Sequence, residues 1–172
     1  QIEVVPGLIP VADFFDLLAE KKFCSSTWLR TREQIDYLEE PDMFHDIFGH
    51  IPLLLNSTFS KFAQAFGKLG QQYKGDEEML IRLQRIYWFT IEFGLIKEKG
   101  ELKVYGAGIA SSFGETNHVF EPTLTHLKYT IEDVMECEFD TDIIQEKYFV
   151  IESLDELYNS LNKLTVKLKK TA

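Results

Sequence analysis

His45 and His50 sit five residues apart in the run Pro41-Asp42-Met43-Phe44-His45-Asp46-Ile47-Phe48-Gly49-His50, and that spacing restricts how the chain can fold. The apolar residues here predict a helix, with Asp42 as its N-cap after Pro41. On an ideal helix, residues five apart point roughly 140° away from each other. The two imidazoles can then share a face only if the helix ends or unwinds between them. Gly49, with Pro52 beyond it, supplies the place, so the helix is expected to end at about Gly49.

A second stretch, Tyr87-Trp88-Phe89-Thr90-Ile91-Glu92-Phe93-Gly94-Leu95, sets one acid among aromatic and aliphatic residues. A carboxylate in such surroundings needs a cation or hydrogen bonds to stay charged. His45, His50 and Glu92 together would form a facial triad, which suits non-heme Fe(II) and leaves positions open for oxygen chemistry. Spacing alone is equally met by two ordinary helix-end histidines and a solvent-facing glutamate.

At 172 residues the chain is expected to be a single catalytic domain, with an upstream N-terminal portion expected before Gln1. Its 14 phenylalanines, 7 tyrosines and 2 tryptophans suit either a well-packed core or a pocket for a flat ligand. A net charge of -10 argues against nucleic acid and anionic membrane as partners. Cys24 and Cys137 are too few for a disulfide framework and lack metal spacing, which fits a reducing, cytoplasmic compartment. The sequence shows neither a signal peptide nor an apolar run of membrane-spanning length.

The fold class expected is mainly α with a few short strands, an α+β domain. Phe14, Phe15, Leu17 and Leu18 repeat at helical spacing between Val11 and Lys21. Phe23 to Leu29 reads as a strand, and Thr31 to Gln34 as a capping box opening a short helix that carries Tyr37. Ser57 starts a helix through Leu69. Asp76 caps a long one that should run to about Glu98 and contain Glu92. Leu102 to Tyr105 is a strand candidate, and Gly106 to Glu115 a small-residue loop entering a helix. Ile143 to Ile151 reads as a strand, with Ser153 capping a last helix to about Lys169 whose lysines form its solvated face. No repeat or domain linker is visible.

The segments PDMFHDIFGHIPLL, YWFTIEFGL and YGAGIASSFGE, in this order and spacing, resemble the pterin-dependent aromatic amino acid hydroxylases, most of all the bacterial phenylalanine 4-hydroxylases. The resemblance runs from about Gly7 to the final helix. It implies the hydroxylase catalytic-domain fold, with an iron site in a helix-lined basket. It also implies hydroxylation of L-phenylalanine to L-tyrosine with O2 and a tetrahydropterin at Fe(II). His45, His50 and Glu92 match the family's iron ligands, the catalytic centre. Ser111 matches a serine that hydrogen-bonds a ligand histidine, and Arg30 the arginine that grips the substrate carboxylate. Trp88, Phe93 and Ser112 lie on or beside substrate positions. Gly7, Leu8, Ile9, Phe14, Asp46 and Tyr87 match the pterin side. Gln84 departs from the small residue common at its position. Val150 aligns with an apolar position expected to favour a ring without a hydroxyl.

His118 and His126 match no ligand and are expected at the surface. Three rivals remain: hydroxylation of tryptophan or tyrosine, a zinc hydrolase with Asp46 as its base, and a binding remnant without activity. The tail after Leu161 is too short for a sustained heptad seam, so a monomer is expected.

Overall fold

The computed structural model describes residues 1–35, 38 and 40–171. Tyr37, expected on the short helix after Thr31, lies outside the described residues. Strand β1 (Ile2–Val4) pairs in parallel with β2 (Phe23–Ser25), and α1 (Val11–Ala19) crosses between them. A single 3₁₀ turn, Arg32–Gln34, follows with its Thr31–Gln34 capping box formed. A π-helical turn, His45–His50, then runs without a break into α2 (Ile51–Leu54).

Helix α3 (Ser57–Gln72) starts at Ser57 as expected and is capped by Asn56, whose Oδ1 accepts the N–H groups of Thr58 at 2.9 Å and Phe59 at 3.2 Å. Helix α4 (Glu77–Tyr87) carries the expected Asp76 cap and passes into a second π turn, Trp88–Glu92. There the helix stops. Residues expected to continue it to Glu98 instead form β3 (Leu95–Glu98), which turns back as β4 (Glu101–Val104). Burial of Leu95 on a sheet outweighs the helical periodicity of its neighbours. Helices α5 (Ala107–Ala110) and α6 (Phe113–His118) follow, then β5 (Thr125–Lys128), α7 (Ile131–Glu136), β6 (Lys147–Ile151) and α8 (Leu154–Thr171). Strands β1 and β5 and helix α7 were not anticipated, being too short to show a period.

The larger sheet has the order β4-β3-β6-β5, with β6 parallel to both β3 and β5. Helices α1, α3, α4, α7 and α8 close over a core built around Phe15, Phe62, Phe66, Leu83, Ile86 and Leu161. The apolar stripe of α8 (Leu157, Leu161 and Leu164) is buried, while Lys163, Lys167, Lys169 and Lys170 are exposed, as its spacing required. A smaller cluster of Phe93, Leu95, Ile109, Val119 and Tyr148 packs beside the sheet. Among the described residues no helix is long and apolar enough to cross a membrane.

Helix α3 lies against α1 at a distance that only glycine permits. A Cβ on Gly67 would overlap the backbone nitrogen of Ala19 and meet the Leu18 Cβ at 2.7 Å. Alanine would ordinarily add about 1 kcal/mol of helix stability here, so the approach of α1 must be worth more. Gly67→Ala is expected to destabilise the fold by about 1–3 kcal/mol in urea unfolding. Gly75→Ala, whose Cβ meets nothing within 4 Å, should leave the midpoint almost unmoved.

Candidate metal and ligand site

The helix carrying His45 does not end at Gly49 as expected. It widens, and an i→i+5 turn replaces the i→i+4 one from His45 to His50. That one added residue per turn brings the two imidazoles back onto one face. Gly49 serves a different purpose from a stop signal. A Cβ there would meet Ala107 at 3.0 Å, so the glycine lets α5 back closely onto the π turn. Glu92 closes the second π turn and faces both histidines.

The ligand atoms converge. His45 Nε2 and His50 Nε2 lie 3.0 Å apart. The Glu92 carboxylate is 3.1 Å from His50 Nε2 and 3.5 Å from His45 Nε2. Three such donor atoms within 4.8 Å of one another could hold a metal ion.

Protonation suits that role. Ser111 Oγ donates to the Ala107 carbonyl at 2.8 Å, so it can accept only from His45 Nδ1, which it meets at 2.8 Å. The proton is thereby held on Nδ1, leaving the Nε2 lone pair facing Glu92 and His50. Burial pushes the His45 pKa down to about 4, keeping the ring neutral. Burial would raise Glu92, but the two imidazoles and the Tyr87 hydroxyl outweigh it and hold the carboxyl at about 2. Two imidazoles and one carboxylate are a donor set for a divalent first-row cation, and three ligands leave room for others.

These atoms form part of the wall of a cavity of about 600 Å³. Every residue expected on the pterin side (Gly7, Leu8, Ile9, Phe14, Asp46 and Tyr87) lines it, as does Gln84. Phe14 and Tyr87 meet edge to face, with ring centroids 5.1 Å apart. Asp46 Oδ2 accepts the Ser26 N–H at 2.7 Å, and burial raises its pKa.

Of the expected substrate residues, Arg30, Trp88, Phe93 and Ser112 also line the cavity, as does Ser111. The Arg30 guanidinium grips Asp42 twice, Nε to Oδ2 at 3.0 Å and Nη2 to Oδ1 at 2.7 Å, and donates from Nη1 to the Ser111 carbonyl at 2.5 Å. Burial would raise the Asp42 pKa, but Arg30 and two backbone N–H groups bring it down to about 2. Asp42 also caps the helix as expected, accepting the His45 N–H at 2.9 Å. One fully buried carboxylate thus sets both a ligand helix and an arginine.

Val150 is not among the residues lining the cavity. Strand register pairs it with Leu95, and it packs against the smaller cluster. The cavity wall on that side comes from the segment before β6, through Phe139 and Thr141. No periodic pattern marks those two residues, so the sequence carried no signal for them. Cys24, Ser26 and Glu115 were missed as lining residues for the same reason. His118 and His126, expected at the surface, are half-buried; His126 Nε2 lies 2.7 Å from the Val119 carbonyl.

A model of the biopterin-dependent aromatic amino acid hydroxylases matches residues 1–172. The chain belongs to this family. It is 45% identical over 161 residues to a phenylalanine-4-hydroxylase of Mesorhizobium japonicum, covering 91% of this chain and 58% of that one. It is 44% identical over 159 residues to the enzyme of that name from Vibrio cholerae, covering 92% and 54%. A crystal structure of Chromobacterium violaceum phenylalanine hydroxylase, with bound iron(III) and oxidised cofactor 7,8-dihydrobiopterin, superposes with a TM-score of 0.89 at 40% identity, covering 99% of this chain and 62% of that one. The chain therefore spans a little over half the length of these curated relatives.

Ser111→Ala is expected to weaken metal binding about 10–100-fold, because the His45 tautomer is no longer held. Titration with Co(II) followed by visible absorption measures it, with overall stability checked in parallel.

Proposed function

We propose that this chain is the catalytic portion of a phenylalanine 4-monooxygenase, converting L-phenylalanine to L-tyrosine with O2 and a tetrahydropterin. The observation that carries the reading is the meeting of His45, His50 and Glu92 at one wall of a largely apolar cavity. Their donor set fits Fe(II), which they would hold. Bound iron and reduced pterin would together supply the activation of dioxygen and the electrons for it.

The chain's own residues bind, orient and exclude water. Arg30 has five guanidinium N–H groups, and among the described residues three are used, on Asp42 and Ser111. The remaining two, on Nη1 and Nη2, are a fork for an amino acid carboxylate. Trp88 and Phe93, with ring centroids 4.5 Å apart, form an apolar wall for the substrate ring. Phe14, Tyr87 and the Gly7–Ile9 segment would hold the flat pterin on the opposite side. Holding the reacting partners in near-attack geometry is the protein's largest contribution here.

Family membership and the apolar lining favour this reading over a zinc hydrolase, in which Asp46 would have to serve as base; its carboxylate instead receives the Ser26 amide. Tryptophan or tyrosine hydroxylation is the second reading, since an apolar pocket rejects an added hydroxyl weakly. We place the enzyme in the cytoplasm as a monomer, in keeping with two free cysteines and a net charge of -10.

The test is anaerobic Fe(II) reconstitution followed by phenylalanine, tetrahydropterin and air, with tyrosine read by chromatography. Tyrosine should form, and Glu92→Ala should abolish it. One bound iron without tyrosine would move the search to tryptophan or to residues outside this chain, and no iron binding would sink the triad. Arg30→Lys should raise the KM for phenylalanine by about tenfold or more with metal stoichiometry unchanged, since a point charge replaces a bidentate fork.

A further inference from the structure

Behind the aromatic wall of the cavity lies a buried polar network, separate from the three ligand atoms and centred on Gln145. Gln145 is 5% exposed. Its Oε1 accepts the indole Nε1–H of Trp88 at 2.9 Å, and its Nε2 donates to the carbonyls of Asp140 and Ile143, each at 2.8 Å. Its backbone N–H donates to Glu115 Oε1 at 2.8 Å, while Glu115 Oε2 accepts the Tyr148 hydroxyl at 2.6 Å. Only one orientation of the carboxamide satisfies these partners. Flipped, it would set an NH2 group against the indole N–H and an oxygen against two carbonyls.

The partners of Gln145 are the parts of the wall that regular structure does not fix. Trp88 stacks on Phe139, with centroids 4.6 Å apart and planes 16° off parallel. Phe139 and Thr141 line the cavity from the segment between α7 and β6, which has no strand or helix to set its shape. Gln145 closes that segment on itself through two carbonyls, ties it to α6 through Glu115, and fixes the indole. An apolar wall selects its ligand by shape alone, so whatever holds the wall still decides how a ring is seated.

We propose that Gln145 is a positioning residue for the aromatic substrate, setting the tilt of Trp88 and the place of Phe139 and Thr141 against the substrate ring. The inference rests on the reading of this cavity as the phenylalanine site.

Tryptophan-¹⁵N-labelled protein loaded with Zn(II), a diamagnetic ion that the same ligands accept, gives a direct test. The chain has two indole N–H groups, Trp28 and Trp88, told apart with Trp28→Phe. In Gln145→Met, which keeps length and removes polarity, the Trp88 signal should move upfield and exchange faster with solvent. The dissociation constant for phenylalanine should rise about tenfold, the scale of a lost buried hydrogen bond. In the Fe(II) enzyme the KM should rise in step. Pterin oxidation should keep its rate while the tyrosine formed per pterin falls, a split that a purely structural role would not produce. Trp88→Phe removes the same N–H, so adding Gln145→Met to it should change the dissociation constant less than about twofold.

An unmoved indole signal, wild-type phenylalanine binding and coupling, or additive effects of the two substitutions would overturn the proposal. If Gln145→Met does not fold, Gln145→Asn shortens the reach by one methylene and should show the same pattern more weakly; wild-type binding in it overturns the proposal. A wild-type chain that binds phenylalanine yet forms no tyrosine counts against the proposed reaction and leaves this test readable. One that does not bind phenylalanine overturns both.

Discussion

The site depends on one electrostatic constraint: Glu92 is a carboxylate buried in an aromatic core, and its charge must be met there. Water cannot do it at 8% exposure, and an unpaired charge at that depth costs several kcal/mol. The Tyr87 hydroxyl lies against it, and the Nε2 atoms of His45 and His50 stand close enough to share a cation with it. For both imidazoles to arrive together, the helix that bears them must widen by a residue. The widened turn must in turn be backed closely by α5, which Gly49 permits. Helix α5 then delivers Ser111 to His45, and with it the tautomer that leaves Nε2 free. Removing any of these disturbs the convergence of the three donor atoms.

Each functional wall of the cavity is held from behind by a buried polar group. Asp42 pins Arg30 and caps the ligand helix. Ser111 pins His45. Gln145, with Glu115, pins the aromatic wall. The inner surface can then stay mostly apolar, which keeps water from competing for a bound cation, while the orientation of each side chain is decided by hydrogen bonds facing away from the ligand. Such bonds are directional where dispersion contacts are not. Replacing a pin should therefore alter geometry before it alters the cavity's chemistry.

Much of this was legible beforehand. The grouping of His45, His50 and Glu92, and helices α1, α3 and α8, could be read from motif order and helical period, since both are properties of neighbouring residues; that Gly7, Leu8, Ile9, Phe14, Asp46 and Tyr87 share one cavity followed from the family resemblance. The misreadings share a cause. Gly49 looked like a helix stop because glycine commonly is one; here it answers a close approach by Ala107, which is distant in the chain. Residues 95–98 continued a helical pattern, but pairing with β4 and β6 made them a strand. Val150 was expected on the substrate side, yet strand register sets it against the smaller cluster, and Phe139 and Thr141 line the cavity instead.

The sequence by itself determined which residues could bind a metal, that one acid would need a cation or donors in an apolar setting, and that two histidines five apart required a break from ideal helix geometry. Only the tertiary structure decided the form of that break, a π turn rather than a helix end, because it depends on how closely another helix packs against it. Tertiary packing alone also chose the partners of Asp42, Glu115 and Gln145. A buried polar side chain takes whichever donor or acceptor the fold brings within reach, and that reach spans separations in the chain that no local pattern records.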